Sequence, residues 1–277
     1  MRSSGKVKLL VSEEEEDVIF FDGPHARYAV ACDPIDGSSN LDAGVSVGTI
    51  FGIHKLADGS DGSKEDILKP GTELVAAGFT MYGASAQLVI TMRGGGVNGF
   101  TLDNGLGEFI LTHPDMRLPR ARAIYSVNEG NSLYWEDHVK DYFHSLKEAQ
   151  ANGKPYSARY IGSMVADAYR TLLYGGIFAY PADKKSPKGK LRILYECAPM
   201  AMVFENGKTL VTPRRPGAPA NAPVPPLSRR AGRGRTDEAH ARRGARAHPR
   251  PVGHLHGQLR RGGEGQVVPQ IASGKDG

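Results

Sequence analysis

Short apolar runs separated by glycine- and proline-bearing turns fill the first 130 residues. Lys8–Val11, Val18–Phe21, Tyr28–Cys32 and Val45–His54 have the length and composition of strands. Glu73–Tyr82, Ala86–Met92, Val97–Leu102 and Glu108–Leu111 continue the pattern, and Ala123–Val127 adds another strand. The period then lengthens. Apolar positions across Ser132–Gln150 recur at helical spacing, with Ser132 as N-cap and Gly153 beyond the end. Trp135, Leu133, Val139, Tyr142, Phe143 and Leu146 form its expected core-facing stripe. Ser163–Leu173 reads as a second helix, Gly176–Tyr180 as a short strand and Leu191–Phe204 as an apolar helical stretch. Strands in runs, followed by helices, predict an α+β fold of layered sheets and helices rather than strict βαβ alternation.

The pattern stops near Val211. Residues 213–277 contain no Phe, Tyr or Trp and are dominated by Arg, Gly, Pro, Ala and His. Such a segment cannot bury enough apolar surface to offset chain entropy, so it is expected to be disordered. It holds 12 Arg and 1 Lys against 4 acidic residues, a net of +9, whereas the whole chain carries +5. Residues 1–212 therefore carry −4, and the basic character belongs to the tail alone. Without interleaved aromatics the tail lacks stacking platforms for single-stranded nucleic acid, so no nucleic-acid partner is expected. Cys32 and Cys197 are the only cysteines, too few and too far apart for a disulfide framework or a zinc site. No apolar run approaches a membrane span, and the N-terminus lacks the apolar core of a secretory signal. A cytoplasmic protein with no membrane partner is the expectation.

The chemistry concentrates in Asp33-Pro34-Ile35-Asp36-Gly37-Ser38-Ser39-Asn40, which follows the strand Tyr28–Cys32. Its carboxylates can hold hard cations such as Mg²⁺ and leave coordination sites open for a substrate phosphate. The Gly-Ser-Ser amides can face the same phosphate. Upstream, Glu13-Glu14-Glu15-Glu16-Asp17 follows another strand, which places its first acids near the same cleft. Gly94-Gly95-Gly96 lacks the Lys-Ser/Thr of a phosphate loop and reads as a turn between strands. Cys32 reads as a small buried residue.

Three segments, Val11-Ser12-Glu13-Glu14, Asp33–Asn40 and Val45–Ile53, resemble fructose-1,6-bisphosphatase. So do Tyr125–Gly130, Ala158–Asp167, Tyr174–Phe178 and Gly189–Glu196, in family order over roughly residues 8–205. The resemblance implies hydrolysis of the 1-phosphate of fructose 1,6-bisphosphate, in gluconeogenesis. It assigns Glu13, Glu14, Asp33, Asp36, Glu196 and the Ile35 carbonyl to two or more Mg²⁺ or Mn²⁺ ions. Glu13, Glu14 and Asp36 serve the reaction, with Glu14 orienting or deprotonating the attacking water. Gly37, Ser38 and Ser39 match the 1-phosphate turn; Asn128, Tyr160, Tyr180 and Lys190 match the 6-phosphate pocket; Met164 matches a sugar contact. Arg159 matches an arginine that reaches a neighbouring subunit's site, which implies a homo-oligomer, a tetramer in the family.

The sequence also departs from the family pattern. Residues 1–120 are expected to form an incomplete metal- and phosphate-binding domain, and 121–212 an incomplete sugar-phosphate-binding domain. The family's longer N-terminal portion, with much of its AMP site, has no counterpart, so AMP regulation through Tyr28 and Lys55 is not expected. Asn131 stands where the family often has a phosphate-contacting tyrosine. The tail composition resembles out-of-frame translation. Sedoheptulose-1,7-bisphosphatase and inositol-phosphate phosphatase are the neighbouring activities, and a non-catalytic fragment is the alternative of another class.

Overall fold

The computed structural model describes residues 1–119, 122–150 and 153–208. The expectation of a disordered tail over 213–277 lies outside the described residues. Eight strands form one sheet: β1 (Val7–Ser12), β2 (Ile19–Phe20), β3 (Tyr28–Asp36), β4 (Gly48–Lys55), β5 (Leu74–Tyr82), β6 (Ala86–Met92), β7 (Val97–Asp103) and β8 (Glu108–Met116). Their order is β2-β1-β3-β4-β5-β6-β7-β8. Only β1 and β3 run parallel; the other neighbours are antiparallel. From β4 to β8 the sheet is a meander of hairpins, which explains why alternation and turn residues locate its strands so well. The β4–β5 approach requires Gly48, because a Cβ there would sit 2.0 Å from the Thr80 carbonyl oxygen.

A smaller parallel sheet has the order β10-β9-β11, from β9 (Ile124–Ser126), β10 (Ser157–Ala158) and β11 (Ile177–Phe178). Among the described residues three α-helices complete the fold: α1 (Asp137–Lys147), α2 (Met164–Tyr174) and α3 (Ala198–Asn206). The main core joins Ile50, Phe79, Val89 and Val97 of the large sheet to Val165 and Leu172 of α2 and Val203 and Phe204 of α3. A second core packs Phe143 and Leu146 of α1 on Tyr125, Ile177 and Trp135. The α+β class and layered arrangement are those expected.

Several boundaries differ for identifiable reasons. The helix expected over Ser132–Gln150 begins only at Asp137. A 3₁₀ turn, Glu129–Tyr134, precedes it, and Ser132 lies inside that turn rather than at an N-cap. Trp135 and Glu136 are extended, and the break lets the Trp135 ring bury completely. Leu133 belongs to the turn and not to the stripe; it is 75% exposed. The stretch Leu191–Phe204 is also broken, into a π-helical turn Ile193–Cys197 and α3. β8 extends past its apolar residues because its ladder with β7 continues to Met116 through register shifts. β3 continues to Asp36 instead of ending at Cys32, so Asp33 and Asp36 stand on the strand and the turn starts at Gly37. The two-residue β10 has no apolar run to announce it.

Candidate metal and phosphate site

The parallel pairing of β1 with β3 sets Ser12 beside Cys32, and the Glu13 amide then donates to the Cys32 carbonyl at 3.1 Å. Glu13 and Asp33 thus leave neighbouring strand ends side by side. In a regular strand, positions three apart face opposite sides. Here β3 holds one extra residue against β4, since Asp33 pairs with Ile50 and Asp36 with Gly48. That bulge turns Asp36 back towards the same cleft as Asp33. Thr49 braces it, donating its hydroxyl to the Pro34 carbonyl at 2.8 Å. Glu196 arrives from the π-helical turn before α3 and accepts from the Arg192 amide at 2.5 Å.

The carboxylate oxygens of Glu13, Asp33 and Glu196 lie within 4.8 Å of one another. Asp33, Glu196 and Asp36 are 1%, 4% and 8% exposed. Burial pushes Asp33 up to about 8, helped by its hydrogen bond with Glu13 and by the charges of Glu13, Asp36 and Glu196. Burial lifts Glu196 to about 7 against the Arg192 amide, with the Asp36 charge adding to the rise. Asp36 rises to about 6 through burial, although the Val165 and Met164 amides oppose the shift. Such a cluster keeps protons at neutral pH unless a cation replaces them. Its donors are all hard carboxylate oxygens, the set Mg²⁺ or Mn²⁺ takes, so the residues fit such an ion.

One cation of the chain already faces the cluster. Arg192 Nη2 lies 3.0 Å from Glu13, and its Nη1 lies 3.8 Å from Glu196. The sequence placed Arg192 in a motif but gave it no role; its only signal was the four-residue spacing to Glu196. Asp36 is tied to the helical layer, because its Oδ2 accepts from the Val165 amide in the first turn of α2 at 3.2 Å. Gly37 follows in the left-handed region, with φ 81°, and reverses the chain into the 3₁₀ turn Ser38–Asn40. Ser38 and Ser39 are exposed on that turn.

Other expected site residues are placed less tightly. Glu14 is exposed on the loop after β1, and its side chain is outside the close cluster. Ile35 is 39% exposed at the bulge, and its amide donates to Asp33 Oδ1 at 3.0 Å. Asn128 caps the 3₁₀ turn after β9 by accepting from the Gly130 amide. Tyr160 is 39% exposed; partial burial raises its pKa, with Tyr180 and Asp167 contributing. Met164 opens α2 and packs against the main core. Lys190 is exposed, and Arg159 is exposed with Nη1 donating to the Ala158 carbonyl. Among the described residues no hydrogen bond, ion pair or ring contact joins Asn128, Tyr160, Tyr180 and Lys190 to one another.

The family model for the fructose-1,6-bisphosphatase N-terminal domain matches residues 1–114, and that for the C-terminal domain matches 118–209. The fructose-1,6-bisphosphatases of Kluyveromyces lactis and Saccharomyces cerevisiae are each 61% identical over 74% of this chain, covering 61% and 59% of their own lengths. The cytosolic fructose-1,6-bisphosphatase of Oryza sativa subsp. indica is 55% identical over 73% of this chain and 60% of its own. The chain thus spans about six-tenths of the length of these relatives. The crystal structure of the Leishmania major fructose-1,6-bisphosphatase in apo form superposes with TM-score 0.70 and 51% identity, over 74% of this chain and 67% of that one.

Proposed function

The chain belongs to the fructose-1,6-bisphosphatase family, and we propose that its acidic cleft serves hydrolysis of the 1-phosphate of fructose 1,6-bisphosphate. The observation that carries the proposal is the convergence of Glu13, Asp33 and Glu196 within 4.8 Å at one side of the Gly37 turn. Bound divalent ions would supply charge neutralisation at the transferred phosphate and at the departing sugar oxygen. Glu13, Asp33, Asp36, Glu196 and the Ile35 carbonyl would hold them. Glu14, exposed at the mouth, would orient the attacking water or take its proton. Gly37, Ser38 and Ser39 would hold the 1-phosphate.

The second phosphate falls to Asn128, Tyr160, Tyr180 and Lys190, with Met164 against the sugar. Residues 1–120 would supply the metal side together with Glu196, and 121–212 the sugar-phosphate side. Arg159, exposed at the end of β10, would reach a second subunit of a homo-oligomer, and the enzyme would be cytoplasmic.

Binding and phosphate release test the proposal. The chain is titrated with Mn²⁺, then with fructose 1,6-bisphosphate and with inositol 1-phosphate. Mn²⁺-dependent preference for the sugar bisphosphate is expected. Preference for the inositol ester, or ligand binding indifferent to Mn²⁺, would overturn it.

A further inference from the structure

We propose that Asp167 is a positioning residue that fixes the spacing between the 1-phosphate turn and the sugar-phosphate loop; this rests on the function proposed above. Asp167 lies in the first turn of α2 and has no solvent exposure. An acid there usually just complements the helix dipole. This carboxylate instead binds groups beyond its own helix as well as Arg170 one turn on. Its Oδ1 accepts the Ser126 hydroxyl at 2.7 Å and pairs with Arg170 Nη2 at 2.8 Å. Its Oδ2 accepts the amides of Ile161 and Gly162 at 3.1 and 3.2 Å.

Apart from Arg170, which lies on α2 itself, these contacts lead to two segments of the proposed site. Ser126 ends β9, two residues before Asn128. Ile161 and Gly162 follow Tyr160 and lead into Met164. Gly162 is left-handed at φ 89°, and its carbonyl, on the far side of the loop, accepts the Asn40 side-chain amide at 3.0 Å. Asn40 closes the turn that starts at Gly37. One buried carboxylate therefore holds the loop from behind while the phosphate turn holds it from the front. A ligand with two phosphates has to span these segments, and a single phosphate does not. The arrangement accordingly bears on selectivity for a bisphosphate over a single phosphate.

Substituting Asp167→Asn keeps the shape. It turns one oxygen into an N–H₂ that meets donor to donor either the amides of Ile161 and Gly162 or, in the flipped orientation, Arg170, so the hold on the loop weakens. Asn40→Ala cuts the same connection from the partly exposed side and leaves the core intact, which keeps the test decisive should Asp167→Asn fail to fold. Calorimetry on the full Mn²⁺-loaded chain compares fructose 1,6-bisphosphate with inorganic phosphate. Each variant should lose about tenfold in affinity for the bisphosphate, the size of one hydrogen bond to a positioned group. Inorganic phosphate and Mn²⁺ affinities should stay within about twofold, as for substitutions that touch neither ligand. Equal losses for both phosphates, or an unchanged preference in Asn40→Ala, would overturn the inference while leaving the proposed function standing. An unmodified chain that takes up Mn²⁺ but does not prefer the bisphosphate would sink the proposed function and this inference together.

Discussion

The two ends of the proposed cleft are built by different means. At the metal end, four acids are delivered by backbone geometry: the parallel ladder places Glu13 beside Asp33, a bulge turns Asp36, and a π-helical turn brings in Glu196. All but Glu13 are nearly buried, and they repel one another. At the second-phosphate end, Asn128, Tyr160, Tyr180 and Lys190 come from three loops, the last two from the one that follows β11, and Lys190 and Tyr160 are exposed. The first end is rigid and electrostatically unfavourable without a cation. The second carries little stored repulsion and depends on neighbouring anchors for its shape. Substitutions should therefore have different signatures at the two ends: altered stability and metal affinity at one, altered ligand affinity with unchanged metal affinity at the other.

The largest expected effect is that of Asp33→Asn. Loss of a central ligand should weaken Mn²⁺ binding by more than about 100-fold, beyond what outer partners of metal ligands usually cost. The same change removes a buried acid that a repulsive group forces to hold its proton, so the melting temperature in chelator should rise. Mn²⁺ titration and thermal unfolding of one preparation check both signs. A fall in both would mean that Asp33 supports the fold and is not held against it by the metal.

Metal and pH come next. Saturation at about 100 times Kd should stabilise the chain by about 2.7 kcal/mol, or roughly 5–10 °C in Tm. In chelator, the raised pKa values of Asp36, Glu196 and Asp33, about 6, 7 and 8, mean that the folded state binds more protons than the unfolded one above the ordinary carboxylate range. Stability is then fully present below about pH 4 and falls as pH rises through these values. Melting scans in chelator should show Tm declining from about pH 5 to 8, and saturating Mg²⁺ should remove the slope. A Tm that rises over this window in chelator would refute the repulsive cluster.

At the other end, Lys190→Met should lower affinity for fructose 6-phosphate by about tenfold, the scale of a charge-assisted hydrogen bond. Mn²⁺ binding and Tm should not move, since Lys190 is exposed. A drop in Mn²⁺ affinity would show that the two ends are not separable.

The same contrast governs what the sequence could reveal. Alternation and turn residues located the meander, and Ala86–Met92 coincides with β6 residue for residue. The acids of the metal end stood in short motifs on strong strands. Their convergence was expected from the family resemblance and not from the pattern, because the bulge at Pro34–Ile35 and the π-helical turn at Ile193–Cys197 have no periodicity to betray them. Tertiary packing, not helix propensity, breaks the chain at Trp135 and leaves Leu133 in water. Arg192 and Asp167 have near partners too, but their link to the site runs through residues distant in sequence, Glu13 and Ser126.

The smallest expected effect concerns an anchor of the second end. Glu129 follows Asn128 and accepts from the Tyr125 hydroxyl and from Lys147 Nζ at 2.5 Å, which pins the turn that carries Asn128 to α1. Burial alone would raise its pKa, but the hydrogen bonds of Lys147 and Tyr125 hold it below the usual value. Its sign is thus opposite to that of the metal-end acids: its contribution is present above the unfolded carboxylate pKa and is lost as pH falls through the lowered one. Glu129→Gln keeps acceptor shape but loses charge, so at pH 7 it should cost about 1 kcal/mol in denaturant unfolding. Affinity for fructose 6-phosphate should fall only about threefold, because Asn128 is loosened and not removed. The stability difference between variant and parent should shrink as pH drops below the ordinary carboxylate range and Glu129 itself takes up a proton. If the difference instead persists into acid, Glu129 acts through shape alone, and the second end is anchored by packing more than by charge.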